Sequence, residues 1–315
     1  MPVSIELIFR SPSAGRWSML GETVGHCFLF GAVLCFQIAL SERARAGSGG
    51  LSPCGHASAY KGVVVSLDDV RTIVLEGGAR VQLSGILPPL AVRGDDELQT
   101  DESLDDAFVA LQHLVVGKGV ILVPSSPPKT RYGIGLAHVF VDRGVVEDAT
   151  WVQGELVRLG LVRAWEPVGQ SNCFEPLRAL EHLAIEGGKG LWSRPAFWAV
   201  DAQDLTTLLL RRGTYQRIRG RVITLGRQKK RSYINFGTDW KRDFTISIPN
   251  ALLRDDPEFA KTVSRLEGQI VEIRGWLDVK NGPIIELERP SDLRILSKSS
   301  HMRLEGSPSS SASTP

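Results

Sequence analysis

The chain has 315 residues, 43% of them hydrophobic and 23% charged, which excludes wholesale disorder and predicts about two globular units at roughly 150 residues each. Its 37 Lys and Arg stand against 35 Asp and Glu, and the resulting +2 excludes a uniformly basic nucleic-acid binder. Four cysteines, Cys27, Cys35, Cys54 and Cys173, exclude a disulfide-built scaffold and have no paired metal-ligand spacing.

Residues 27–40 (CFLFGAVLCFQIAL) carry no charge and have the length of a signal-peptide apolar core, preceded by Arg10 and Arg16 and followed by Ala44-Arg45-Ala46. Residues 1–46 are therefore expected to be a signal peptide or N-terminal anchor, cleaved before Gly47 in the first case. The expected location is exported, periplasmic or secreted, with no transmembrane span in the mature chain. Cleavage leaves Cys54 and Cys173 in an oxidising compartment, where one bridge between them and two separate thiols both fit.

Residues 62–69 (GVVVSLDD), 71–76 (RTIVLE) and 79–86 (ARVQLSGI) read as strands, the last two joined by a Gly77-Gly78 turn. The acidic stretch 94–106 leads into a helix expected to begin at 101–103, with Ser103 as cap and Phe108, Leu111, Leu114 and Val115 as the apolar stripe. Strands follow at 119–123 and 136–142, then helices at 151–161 and from 174 to Gly187-Gly188. This is one α+β unit over 60–195. A second unit, 213–296, reads as strands at 215–225, 232–236 and 243–249, a helix at 251–266, and strands at 269–276 and 283–287. Three strands, a helix and two strands is the order of an OB-fold barrel. The Ser-rich tail 297–315 is expected to be disordered.

The segments TIVLEGGARVQLSGILPP (72–89), RYGIGLAHVFVDRG (131–144), LVRLGLVRAW (156–165) and GGKGLWS (187–193), in this order and spacing, resemble the thermonuclease, or staphylococcal-nuclease-like, family over residues 60–195. The resemblance implies that this unit is itself an OB barrel with added helices, so the fold class expected is mainly β with helices, two tandem OB barrels, the first of staphylococcal-nuclease type. In that family aspartates hold a divalent ion, a glutamate handles the attacking water and two arginines neutralise phosphate charge. Aligned on Thr72, the metal aspartates fall on Arg71 and Leu87, the glutamate on Leu90, and the arginines on Gln82 and Ile134. A degenerate, inactive nuclease fold is expected, with no metal site and no cofactor. A divalent cation enters only in the alternative of a divergent endonuclease using Asp68 or Asp69. Phosphate binding without cleavage by Arg71, Arg80 and Arg131 stays open beside their being ordinary surface arginines.

Between Arg211 and Arg242 eleven basic residues face Asp239 alone, while the rest of the chain holds 26 basic against 34 acidic residues. The near-neutral total thus conceals a local +10. Aromatic residues are interleaved with these charges, a pairing that suits stacked bases beside phosphates. The expected nucleic-acid-binding residues are Arg227, Lys229, Lys230, Arg231, Tyr233, Trp240, Lys241 and Arg242, with Phe236, Phe244 and Trp276 open between platform and core. The partner expected is nucleic acid or another polyanion; a protein-interaction module in an envelope assembly is the third reading.

Overall fold

The structure, a computed structural model, describes residues 59–89, 97–144, 149–165 and 173–296, with backbone alone for 97–101. The expected leader, Cys54, Leu90 and the C-terminal tail lie outside the described residues. The described part is mixed α+β and mostly strand.

Strands β1 (Tyr60–Asp69), β2 (Thr72–Leu75) and β3 (Arg80–Leu83) form a meander. The β2–β3 turn needs two residues in the left-handed region, and Gly77 and Gly78 supply them with φ of 83° and 84°. After β4 (Ile86–Leu87) and helix α1 (Glu97–Val115) come β5 (Gly119–Lys129) and β6 (Gly135–Val141). β5 pairs with both β1 and β6, and β6 runs parallel to β3, so five strands close in the cyclic order β1-β2-β3-β6-β5. Inward residues such as Ile73, Leu83 and Val139 fill the barrel, and α1 covers it with Ala107, Leu111 and Val115, four residues apart along one face.

Two expectations need correction here. The helix starts at Glu97 rather than at 101–103, because neither Gly nor Pro interrupts 97–103; Ser103 is not its cap but a buried hydroxyl receiving a 2.7 Å hydrogen bond from Arg194. β5 also continues past 123 through Pro124, Pro127 and Pro128. Its pairing with β1 covers only Gly119–Leu122, so these prolines fall where β1 requires no donor.

Strand β7 (Thr150–Trp151), helix α2 (Val152–Arg158), strand β8 (Arg163–Ala164) and helix α3 (Phe174–Glu186) complete the first unit, with β8 pairing to β4. Gln153 of α2 is fully buried and clamps β6, accepting from Val139 N–H at 3.0 Å and donating to the Ala137 carbonyl at 2.9 Å. The segments LVRLG and GGKG cross backbone to backbone, Leu191 N–H donating to the Gly160 carbonyl at 2.9 Å. At Gly160 (φ 73°) a β-carbon would stand 2.3 Å from the Lys189 carbonyl oxygen, so only glycine fits. Cys173, just before α3, is disulfide-bonded.

His138 of β6 is buried against Trp151, with ring centroids 5.7 Å apart, and desolvation lowers its pKa from 6.5 to about 4. A folded pKa below the unfolded one means that stability is complete above pH 6.5 and is lost as pH falls towards 4, because the unfolded chain takes up the proton first. The size is on the order of 3 kcal/mol. Urea midpoints should therefore fall between pH 6.5 and 4.5, and His138→Phe should flatten that limb. An unchanged slope in the variant would locate the proton uptake elsewhere.

Single 3-10 turns at Gly190–Ser193 and Pro195–Phe197 lead to β9 (Val200–Asp201) and α4 (Leu205–Leu210), none expected from the sequence. Then follow β10 (Tyr215–Arg221), β11 (Thr224–Arg227), β12 (Arg231–Asn235), β13 (Thr245–Pro249), α5 (Asn250–Asp255), α6 (Pro257–Val263), β14 (Ile270–Lys280), β15 (Gly282–Glu286) and β16 (Leu293–Ile295). The sheet path is β11-β12-β13-β15-β14-β10-β9, with β16 on β14. Its main part begins on β11 and returns to β10, two stretches separated only by Val222 and Ile223. The single helix expected over 251–266 is instead two. Pro257 has no N–H to continue the first, and Asp256 caps the second by accepting from Phe259 N–H at 2.9 Å.

A buried polar seam joins the two units. Arg274 of β14 pairs with Glu181 of α3, whose other carboxylate oxygen accepts from Ala164 N–H at 2.9 Å. Arg163 donates to the Tyr215 carbonyl, and Arg178 reaches Asp292 at 3.4 Å and the Ser291 carbonyl at 3.2 Å. Burial alone would raise the Glu181 pKa; Arg274, with Arg178 and Arg217, reverses this and holds it below the usual 4.5. Asp292 goes the other way, raised chiefly by burial.

Candidate functional site

The hairpin β11–β12, the loop after it and the β14–β15 hairpin surround a cleft of about 690 Å3. Among its lining residues are Arg227, Arg231, Tyr233 and Trp240, four of the eight expected from the sequence, together with Trp276. Lys229, Lys230, Lys241 and Arg242 are exposed but do not line it. The short β11–β12 turn, residues 228–230, carries the two lysines at the cleft's margin. Tyr233 lies opposite Gly226 in the register, and the missing side chain there leaves the ring room. Trp240 is 60% exposed on a turn braced by Asp239 N–H donating to the Asp243 carboxylate at 2.7 Å. Lys241 Nζ sits 5.5 Å from the Trp240 ring centre.

Phe236 and Phe244 are core, whereas Trp276 is 37% exposed on the cleft. Alternation along β14 carries the signal for this: Ile273 and Leu277 point into the core, which puts Trp276 on the opposite face.

The basic run is less free than its sequence suggests. Arg217 and Arg219 converge on Glu272 at 2.9 and 3.1 Å, Arg231 meets Glu286 at 2.7 Å, and Arg212 meets Asp278 at 3.4 Å. Burial would raise the Glu272 pKa, but Arg217, Arg274 and Arg219 outweigh it and keep the carboxylate ionised far into acid. Asp243, Asp278 and Glu286 also line the cleft, against Arg227, Arg231 and Lys280. The floor is therefore balanced in charge and aromatic, and the unopposed cations lie on its rim.

A second cleft, about 580 Å3, opens on the first barrel. Arg71, Gln82 and Ile134, three positions singled out by the resemblance, line it together; Leu87 is buried in the β4–β8 pair and does not, and Leu90 lies outside the described residues. Lys129, Arg131, Tyr132 and Trp165 line it as well, and no carboxylate does among the described residues. Arg71 Nε is buried without a hydrogen-bond acceptor among them. Burial lowers the Arg71 pKa, with Asp69 opposing. Arg80 lies outside the lining, paired with Asp68 at 2.6 Å, while Asp69 accepts from the Arg71 N–H at 2.7 Å and the Thr72 hydroxyl at 3.3 Å.

A divalent ion of the kind the resemblance implies does not fit these donors. Hard cations need several oxygen ligands, whereas this cleft presents guanidinium and ammonium groups. No group of three or more His, Cys, Asp or Glu among the described residues is arranged to hold a metal, and no described helix is long and apolar enough to cross a membrane.

Compared by sequence, the chain matches no protein-family model and no curated protein.

Proposed function

We propose that the chain is a non-catalytic, exported protein of two OB-like barrels, the first thermonuclease-like, that binds single-stranded nucleic acid through the cleft of the second. The carrying observation is Tyr233, Trp240 and Trp276 around one cleft with Arg227 and the Lys229–Lys230 turn at its edge. Bases stack on aromatic faces whatever their identity, and rim cations meet the phosphates. The OB reading of each unit is supported by the strand order, in which a parallel pair, β3 with β6 and β13 with β15, follows an intervening helix. A balanced floor favours a base-bearing strand over other polyanions, since a bare polyanion gains little from rings and meets Asp243, Asp278 and Glu286.

Filter binding of a single-stranded oligonucleotide over a salt series tests this reading. Arg227→Ala/Lys229→Ala/Lys230→Ala should reduce the salt slope by about 2, at about 0.7 per phosphate neutralised on a single strand. Arg231 is left intact because Glu286 and the Ser247 hydroxyl hold it in the sheet. Absence of retention, or an unchanged slope, would reject the cleft as the site. A magnesium and calcium titration on the same sample should give no cleavage, and metal-dependent cleavage abolished by Asp69→Ala would favour the endonuclease alternative.

A further inference from the structure

The two clefts are not separate places on the surface. Trp165, the last described residue after β8, lines the first-barrel cleft, and Trp276 lines the second-barrel cleft. Their rings meet edge to face with centroids 6.3 Å apart, so one aromatic contact is the boundary between the clefts. Trp165 is held there by its N–H donating to the Gly85 carbonyl at 3.0 Å, and Trp276 by register with Tyr215, whose ring it meets at 5.7 Å. The buried pair Arg274–Glu181 lies in the seam joining the units that carry the two tryptophans.

The chemistry changes across this boundary. The second-barrel cleft is aromatic with balanced charge, whereas the first-barrel cleft presents Arg71, Lys129 and Arg131 beside Tyr132 and, among the described residues, no carboxylate. We infer that the two clefts form one track for a single-stranded polynucleotide, bases stacking in the second barrel and at the Trp165–Trp276 junction, the backbone continuing across the cations of the first. This rests on the function proposed above and adds that the ligand is long enough to bridge both barrels.

The test compares oligo-dT of about 6 and about 20 nucleotides on the intact protein by fluorescence anisotropy over a salt series. The longer strand should have a salt slope steeper by about 2, a quantity that counts phosphates neutralised and not the registers a long strand offers. Lys129→Ala/Arg131→Ala, both exposed side chains, should weaken the 20-mer at least about fivefold and return its slope towards that of the 6-mer. Equal slopes for the two lengths, or a double variant that changes nothing, would overturn the bridging track while leaving second-barrel binding intact. Failure of both lengths to bind would overturn the track together with the reading beneath it.

Discussion

Glu181→Ala is expected to destabilise the protein by about 3–5 kcal/mol, the cost of leaving a buried charge without its partner. Glu181 is 1% exposed and joins Arg274 of the second unit to Ala164 N–H of the first. Removing the carboxylate strands the guanidinium in a low-dielectric seam and leaves a buried N–H without an acceptor. At roughly 2–4 °C per kcal/mol for a protein of this size, the melting temperature should fall by on the order of 10 °C. Because Arg178 and Arg163 still cross the seam, the units should stay attached but unfold in less coincident steps. Glu181→Leu/Arg274→Leu should recover part of the loss, since an apolar pair has no charge to desolvate. A single variant melting within about 2 °C of the parent would remove the seam from the list of structural determinants.

That seam marks where local reading of the sequence ends. Periodicity located most strands of both units, but it ran β10 and β11 together over 215–225, where Val222 and Ile223 separate them, and passed over the short β7, β8 and β16; the Gly77-Gly78 turn is where two consecutive glycines demanded it. It missed β9 and α4 because Val200–Asp201 is two residues long and Leu205–Leu210 a turn and a half, too short for any period to register. The charge run is the more instructive case. Eleven basic residues in one window imply a cationic surface only if no acid approaches from elsewhere in the chain. Glu272 and Glu286 come from strands more than 50 residues away and meet Arg217, Arg219 and Arg231. Strand pairing therefore decides which cations remain for a ligand, and pairing partners are not written in a window of sequence. Lys229 and Lys230 were legible because a tight turn between two strands must be exposed. Trp165 was not, since its place depends on β4 meeting β8, where Ile86 pairs with Ala164, 78 positions further along the chain.

The largest functional effect is expected at the aromatic floor. Tyr233→Ala and Trp240→Ala should each cost about 1–3 kcal/mol of oligonucleotide affinity, the range for a base losing its stacking platform, which is roughly 5- to 150-fold in Kd. The two rings differ in what surrounds them, and this separates binding from folding. Trp240 is 60% exposed on a turn held by Asp239 and Asp243, so truncating it removes almost no buried area and should leave the melting temperature unchanged. Tyr233 is half-buried in β12 with Ser247 and Gly226 on either side, so its loss should lower stability modestly as well. Tyr233→Phe keeps the ring and should retain most of the affinity; if it fails as badly as alanine, the hydroxyl and not the face is what the ligand uses. Fluorescence of Trp240, the most exposed tryptophan among the described residues, should be quenched as an oligonucleotide binds, whereas inorganic polyphosphate, which has no bases, should quench weakly and compete poorly. Equal competition by polyphosphate at matched phosphate concentration would make the site a general anion surface, and its rings incidental to the ligand.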